Sequence, residues 1–308
     1  MNKKNTLLKE YPFTVRSAIG WGMKYLEACG FENAGVEVEF LLSSLLNRKR
    51  CDLYLEMDKV IDGKTVIKFK SAIKKRARHI PLDYIIKRTE FMGLTFEIDK
   101  DIFIPRPETE MLVEKTVQLY NKYKLKTPVI LDVGTGCGNI AISLAKYILD
   151  ATIYAIDINE KALTVAHKNV KFHKVENRVI VLKKDMYTPL EFLYKKVDFI
   201  VSNPPYIKER DFSFIQPEIL KEPTSALYGG KRGIDFYKPI IFYSKSYLKP
   251  KGFIILEISP ELKDKILEIS NFEGFNSFEI LKDYQDLDRV IIIKKKGFKF
   301  SPSFSFNV

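Results

Sequence analysis

Val129-Ile130-Leu131-Asp132-Val133-Gly134-Thr135-Gly136-Cys137-Gly138 is the stretch on which the fold of this 308-residue chain turns. Its first five residues are apolar and mostly β-branched apart from Asp132, and read as a buried strand. A loop with three alternating glycines follows, and a helical pattern runs from Asn139 to Ile148. Such glycines let a backbone approach a ligand closely and let the helix pack tightly on its strand. Outward from this turn, strands are expected at Thr152–Asp157, Arg178–Leu182, Val197–Ser202, Phe253–Ile258, Ser277–Lys282 and Arg289–Lys294. Helices are expected at Glu160–Phe172, Ile234–Leu248 and Pro260–Ser270. This alternation predicts an α/β fold, a mostly parallel seven-stranded sheet with helices on both faces and ligands at the strands' carboxyl ends. The turn 283–288 is too short for a parallel crossover, so the last strand should run antiparallel.

Towards the N-terminus the pattern is helical. Tyr11 to Cys29, Val36 to Leu46 and Lys64 to Arg78 carry apolar residues at helical spacing, with Gly30 and Pro81 as stops. Residues 1–88 therefore read as a small helical domain suited to substrate recognition. Glu90 to Ile98 reads as a β-hairpin around Gly93, within a linker over 89–104, and 105–308 forms the main domain. The segment Ile104-Pro105-Arg106-Pro107-Glu108-Thr109-Glu110 ends one element and can start the next helix.

The composition, 46% hydrophobic and 29% charged, is that of a soluble globular protein. No apolar run approaches a membrane span, and Met1-Asn2-Lys3-Lys4-Asn5 lacks the apolar region of a secretory leader, so a cytoplasmic protein is expected. Cys29, Cys51 and Cys137 have no paired spacing, and His79, His167 and His173 form no ligand set, so no metal is expected. The net charge of +12 peaks in the stretch from Lys64 to Arg88, with Lys68, Lys70, Lys74, Lys75, Arg76 and Arg78. It reads either as a solvated helix face or as a docking surface for an acidic or RNA-bound partner.

Three acids stand in consecutive β–α turns. Asp132 precedes the glycine loop, Asp157 ends the second strand where it can accept from both ribose hydroxyls, and Asp185 ends the third, placed for an adenine amino group with Met186 as an apolar wall. The spacing Gly134-x-Gly136-x-Gly138 differs from the Gly-x-Gly-x-x-Gly of dinucleotide sites. An acid at position 132 would repel a phosphate and suits the cationic amino and sulfonium groups of S-adenosyl-L-methionine. These residues, with Thr135 and Cys137 in the loop, form the expected cofactor site.

Past the fourth strand stands Asn203-Pro204-Pro205-Tyr206. Two prolines stiffen the backbone and remove two donors, leaving carbonyl acceptors. The Asn203 oxygen adds another acceptor and Tyr206 a flat ring, making a receptor for a planar NH₂ group, an amide or a base amine. Accepting its two N–H protons on the Asn203 oxygen and the Pro204 carbonyl would orient the nitrogen towards a methyl donor. Asn203, Pro204 and Tyr206 are thus the expected catalytic residues, with Pro205 completing the substrate contact.

A mostly parallel sheet closed by one antiparallel strand, with this motif pair, resembles class I S-adenosylmethionine-dependent methyltransferases of Rossmann-like fold that act on amino groups. The order of helical region, hairpin, Ile104–Glu110, Asp132–Gly138, Asn203–Tyr206 and Glu222-Pro223-Thr224-Ser225-Ala226-Leu227 resembles the peptide chain release factor glutamine methyltransferases, the HemK/PrmC family. The resemblance covers nearly the whole chain. It implies N5-methylation of the glutamine in the Gly-Gly-Gln loop of class 1 release factors; a monomer that needs no nucleic acid or membrane is expected. It also implies cofactor contacts at Gly134 to Gly138, Asp157, Met186 and Asn203, and substrate contacts at Asn203 to Tyr206. Cys137 stands where the family often has Ser or Thr. A nucleic-acid amino-methyltransferase, acting on DNA adenine or rRNA guanine, is the alternative. Arg106 is read as orienting the cofactor or the hairpin region, or as an ordinary ion-pairing residue, and Glu257 as lining the pocket or as a buried structural carboxylate.

Overall fold

The computed structural model describes residues 13–295. The extreme N-terminal residues read above for a leader, and the expected helix start at Tyr11, lie outside the described residues. The chain folds as two units: the first runs to Lys87 and takes in Pro217–Lys221, and the second comprises the remainder from Arg88.

The first unit is helical: α1 (Val15–Glu27), α2 (Ala34–Leu46), α3 (Asp52–Leu55), α4 (Gly63–Arg76) and α5 (Leu82–Ile86). Helix α1 begins at Val15 because Thr14 and Ser17 form a reciprocal capping box, the Ser17 hydroxyl oxygen accepting from the Thr14 N–H at 2.7 Å. A Cβ on Gly22 would lie 2.8 Å from Val38 and 3.1 Å from Phe69, so a glycine is what lets α1 approach α2 and α4. Val15, Leu41, Leu42, Phe69 and Ile73 fill the core between them.

One member of the basic stretch does not belong to a solvated face. Arg76 is buried; its guanidinium pairs with both Glu37 oxygens at 2.5 and 3.0 Å and with Glu218 at 3.0 Å, over the Phe31 ring. The reason is helical phase: position 76 continues the inward stripe of Phe69, Ala72 and Ile73.

The second unit opens with the antiparallel hairpin β1 (Arg88–Phe91) and β2 (Leu94–Glu97). Then follow α6 (Glu110–Tyr123), β3 (Val129–Val133), α7 (Asn139–Tyr147), β4 (Thr152–Asp157), α8 (Glu160–Phe172), β5 (Val179–Lys183) and β6 (Val197–Ser202). The chain continues through α9 (Tyr237–Tyr247), β7 (Leu248–Glu257), α10 (Lys263–Phe272), β8 (Phe278–Lys282) and β9 (Asp288–Lys294). Seven strands form one sheet in the order β5-β4-β3-β6-β7-β9-β8. The five strands β3 to β7 run parallel, and β9 is antiparallel to both its neighbours. The last strand in sequence is therefore inserted between β7 and β8 rather than added outside β8.

Alternation along the strands divides the core. Ile130, Ile153, Phe199, Val201, Ile255 and Ile292 point to one face, where α6, α7, α8 and the hairpin residues Phe91 and Phe96 pack. Leu131, Val133, Ile200, Ile254, Leu256 and Ile291 point to the other, under α9 and α10. The hairpin is pinned by the buried Asn169 of α8. Its side chain accepts from the Glu97 N–H at 2.8 Å and donates to the carbonyls of Glu97 and Cys137, both at 2.9 Å. Among the described residues no helix is long and apolar enough to cross a membrane, and no three His, Cys, Asp or Glu side chains cluster to hold a metal.

Candidate active site

Strand order reverses between β3 and β6, and in open α/β sheets a ligand crevice forms at the carboxyl ends of such strands. A cavity of about 260 Å³ opens there. Gly134, Thr135 and Gly136 form one side, Asp157, Asp185 and Met186 another, and Asn203 and Pro205 a third. The turns after four different strands thus meet at one place.

The glycine loop is held in a left-handed path, with φ of 73° at Gly134, 56° at Gly136 and 86° at Gly138. The N–H groups of Gly134 and Thr135 both donate to the Ile156 carbonyl, at 2.9 and 3.0 Å. A Cβ at 134 or 136 would meet nothing within 4 Å, so their need for glycine is conformational and the space beside them is open. Gly138 has a different duty. A Cβ there would stand 3.1 Å from Ile142 and 3.5 Å from Ala166, so it permits α7 to pack on α8 and does not line the cavity.

Two further residues expected at the cofactor stand behind the loop. Cys137 is buried away from the cavity, and burial pushes its thiol up to about 12. Asp132 is 0% exposed and also absent from the lining, because strand alternation turns its side chain to the face covered by α7. One oxygen accepts from the Thr135 hydroxyl at 2.6 Å, and the other has no hydrogen-bond partner. Burial raises its pKa to about 7, against the Thr135 hydrogen bond that favours the ionised form. A buried acceptor short of a donor, behind a loop of open left-handed glycines, fits a ligand carrying positive charge better than one carrying phosphate.

Asp157 is oriented by backbone donors: the Gly136 N–H and the Asn159 N–H each give it a 2.9 Å hydrogen bond, one to each oxygen. Each oxygen keeps a second lone pair for a vicinal diol. Asp185 lies two residues past β5 rather than at its end, in a turn where its side chain accepts from the Tyr187 N–H at 2.9 Å. Tyr187 and Phe236, whose rings lie 6.3 Å apart, line the cavity beside Met186.

At the end of β6 the Ser202 hydroxyl donates to the Val133 carbonyl at 2.7 Å, tying the turn to β3. Asn203 follows, its amide donating to the Thr109 hydroxyl at 3.0 Å. Asn203 and Pro205 line the cavity, whereas Pro204 is buried and Tyr206 packs against the core under α9. Burial pushes the Tyr206 hydroxyl well up. The backbone of this turn is fitted closely from outside: a Cβ on Gly229 would lie 2.7 Å from the Pro205 oxygen, and one on Gly233 2.6 Å from the Tyr206 oxygen. Ile207 and Tyr228 form a bridge, with N–H to O bonds of 2.9 Å on both sides.

Arg106 is an ion-pairing residue. It donates to Glu222, whose second oxygen accepts the Ile104 N–H at 3.1 Å, and to the Ile104 carbonyl at 3.0 Å. The buried Glu222 thereby joins the segments 104–106 and 222–226, which bring Pro105 and Ser225 to the cavity wall. Sequence reasoning had no role for Phe103, Tyr187 or Phe236, which reach the cavity from three separate loops. Their aromatic character was the available signal, and nothing in their spacing links them.

The chain is 33% identical over 280 residues to a release factor glutamine methyltransferase of Geobacter sulfurreducens, covering 91% of this chain and 96% of that protein. The same name is carried by a relative in Dictyoglomus turgidum, 38% identical over 283 residues, covering 90% and 97%. The chain belongs to the release factor glutamine methyltransferase family. Membership in that family extends over both units: residues 17–86 match the PrmC N-terminal domain and residues 108–232 the methyltransferase small domain. The second match runs from the segment before α6 past the Gly229 contact, so it contains most of the cavity wall of this release factor glutamine methyltransferase family member. Among solved structures, the hMettl16 catalytic domain in complex with MAT2A 3'UTR hairpin 6 has a TM-score of 0.55 at 16% identity, covering 78% of this chain and 85% of that one. At that identity the likeness concerns the fold, the class I S-adenosylmethionine-dependent methyltransferase sheet.

Proposed function

We propose that this chain transfers the methyl group of S-adenosylmethionine to the side-chain amide nitrogen of the glutamine in the Gly-Gly-Gln motif of class 1 peptide chain release factors. The observation that carries this reading is that Asn203 and the Gly134–Gly136 loop line one cavity. S-adenosylmethionine, when bound, supplies an electrophilic methyl carbon on a sulfonium, which departs as the neutral thioether when the C–S bond breaks. In this reading the left-handed glycines and Asp157 hold the cofactor, Asp157 through the free lone pairs left by its two backbone donors. Met186 flanks the adenine. The Asn203 amide oxygen and the Pro204 carbonyl accept the two N–H protons of the glutamine amide and present its nitrogen to the methyl carbon. The cationic N-methylated amide formed with the N–C bond is acidic and loses one of those protons to water, so no strong base is needed to start the reaction. The protein works in this reading as a cytoplasmic monomer on a protein substrate, without nucleic acid.

The test is incubation with radiolabelled S-adenosylmethionine and, separately, a release factor, its Gln→Ala variant and total RNA. Label is expected in the release factor alone. Label in RNA with none in the release factor would overturn the proposal in favour of a nucleic-acid amino-methyltransferase.

A further inference from the structure

Behind Asn203 lies a chain of two hydrogen bonds that ends in a buried acid. The Asn203 amide nitrogen donates to Thr109 Oγ1 at 3.0 Å, and Thr109 Oγ1 donates to Glu257 Oε2 at 2.6 Å. Thr109 is 2% exposed and Glu257 1%. Thr109 borders the cavity beside Asn203, while Glu257 stands behind it at the carboxyl end of β7.

The chemistry of three groups decides the direction of this chain. An ionised carboxylate only accepts, and a threonine hydroxyl carries one proton. With that proton committed to Glu257, the Thr109 oxygen can only accept from Asn203. The amide of Asn203 must then turn its NH₂ to Thr109, which leaves its carbonyl oxygen for the cavity. A carboxamide without such a relay has two nearly isosteric orientations, one of which would present a donor to the donors of a substrate NH₂.

We propose that Thr109 and Glu257 are positioning residues that fix the Asn203 amide with its oxygen towards the substrate nitrogen. This rests on the methyl-transfer reading above. Protonated Glu257 can donate to Thr109, which frees the Thr109 proton to point at Asn203 and lets the amide rotate. The orientation is therefore tied to the ionisation of Glu257. Burial raises the Glu257 pKa to about 7, opposed by the Thr109 hydrogen bond and by Arg289 on β9, with Glu108 raising it further and Arg106 lowering it. Tyr237 on α9 donates its hydroxyl to the Glu257 backbone carbonyl at 2.9 Å, and Tyr206 also lies in its field. Arg289 is itself held by Asp283 at 2.9 and 3.0 Å, so its charge stays fixed.

The experiment compares wild type, Thr109→Val, Thr109→Ser and Glu257→Gln, reading kcat, KM for the release factor and Kd for S-adenosylmethionine from pH 5.5 to 9. Thr109→Val should lower kcat about 10²-fold, with KM and cofactor Kd little changed, and Thr109→Ser should restore it. Wild-type kcat should fall on the acid side of neutrality through one ionisation, and Glu257→Gln should lack that limb. Unchanged kcat in Thr109→Val, Thr109→Ser as impaired as Thr109→Val, or an acid limb preserved in Glu257→Gln would each overturn the relay. If Glu257→Gln does not fold, the Thr109 pair decides. Wild type that binds cofactor yet transfers no methyl to a release factor would instead overturn the proposed function, and the relay with it.

Discussion

Replacing Gly229 by alanine tests whether the position of the Asn203–Tyr206 turn limits the rate. The added Cβ would stand 2.7 Å from both the Pro205 oxygen and the Tyr206 Cα. Non-bonded carbons settle about 3.5–4.0 Å apart, so the two segments must separate by roughly 1 Å. Both contacts are backbone, and no side-chain rotation relieves them. A misplacement of about 1 Å can lower the rate about 10²-fold, so kcat should fall by that order. Overpacking of this kind costs about 1–3 kcal/mol, partly offset by about 0.4–1 kcal/mol from the stiffer unfolded chain. A domain with a margin of about 5–15 kcal/mol stays folded through that change, so unfolding cannot imitate the rate effect. The assay is single-turnover methyl transfer to a release factor, with cofactor affinity measured by calorimetry and folding by thermal melt. Gly20→Ala in α1 is the control, since its Cβ would meet nothing within 4 Å. A Gly229→Ala enzyme whose turnover stays within about threefold of wild type would refute the reasoning.

Glu222→Gln should weaken the clamp on Ile104 and Arg106 by about 2 kcal/mol, less than a fully buried pair because Arg106 is partly exposed. Calorimetry should show Tm lower by about 4–8 °C, and an unaltered Tm would refute the clamp. Arg76→Ala leaves Glu37 and Glu218 without their buried cation and should cost about 3–5 kcal/mol, read as lost amide-exchange protection in α2 and α4. Asp132 titrates near 7 when folded against an ordinary 3.8, so the folded state holds the extra proton between those values. The stability it contributes is complete below the ordinary pKa and is lost as pH rises through about 7. The ligand-free wild type should therefore lose Tm relative to Asp132→Asn between pH 5 and 8, and parallel Tm curves would refute this.

Much of the second unit was legible because its signals are local. Short runs dominated by apolar residues, such as Val129–Val133 and Val197–Ser202, fit central strands, and the left-handed glycines mark the turn beside the first. Readings failed where a local signal competed with tertiary context. The strand expected from Phe253 starts at Leu248 instead, taking in Lys249-Pro250-Lys251-Gly252 through an irregular register with β6. Helices α3 and α5 are only four and five residues long, too short for a period to emerge. Arg76 reads as surface charge because its partners, Glu37 and Glu218, are 39 and 142 residues away. In the candidate site, the places of Asp157 and Asn203 were visible from their positions at, and just past, a strand's carboxyl end. The turning of Asp132 behind its loop follows from strand alternation and could have been read; the joining of Arg106 to Glu222 over 116 residues could not.

The insertion of β9 between β7 and β8 bears on the order in which a ribosome can finish this enzyme. When β7 emerges, one edge of it is still bare, since the strand that pairs Glu257 with Val290 has yet to be made. Arg289, the cation that opposes the raised Glu257 pKa, arrives on that same strand. A nascent chain can thus build the cofactor-side turns early but cannot set the Asn203 relay until β9 slots in. Until then an apolar strand edge stays open to pairing with a neighbouring chain. A nonsense codon before Asp288 should accordingly yield a self-associating product rather than a weakly active one.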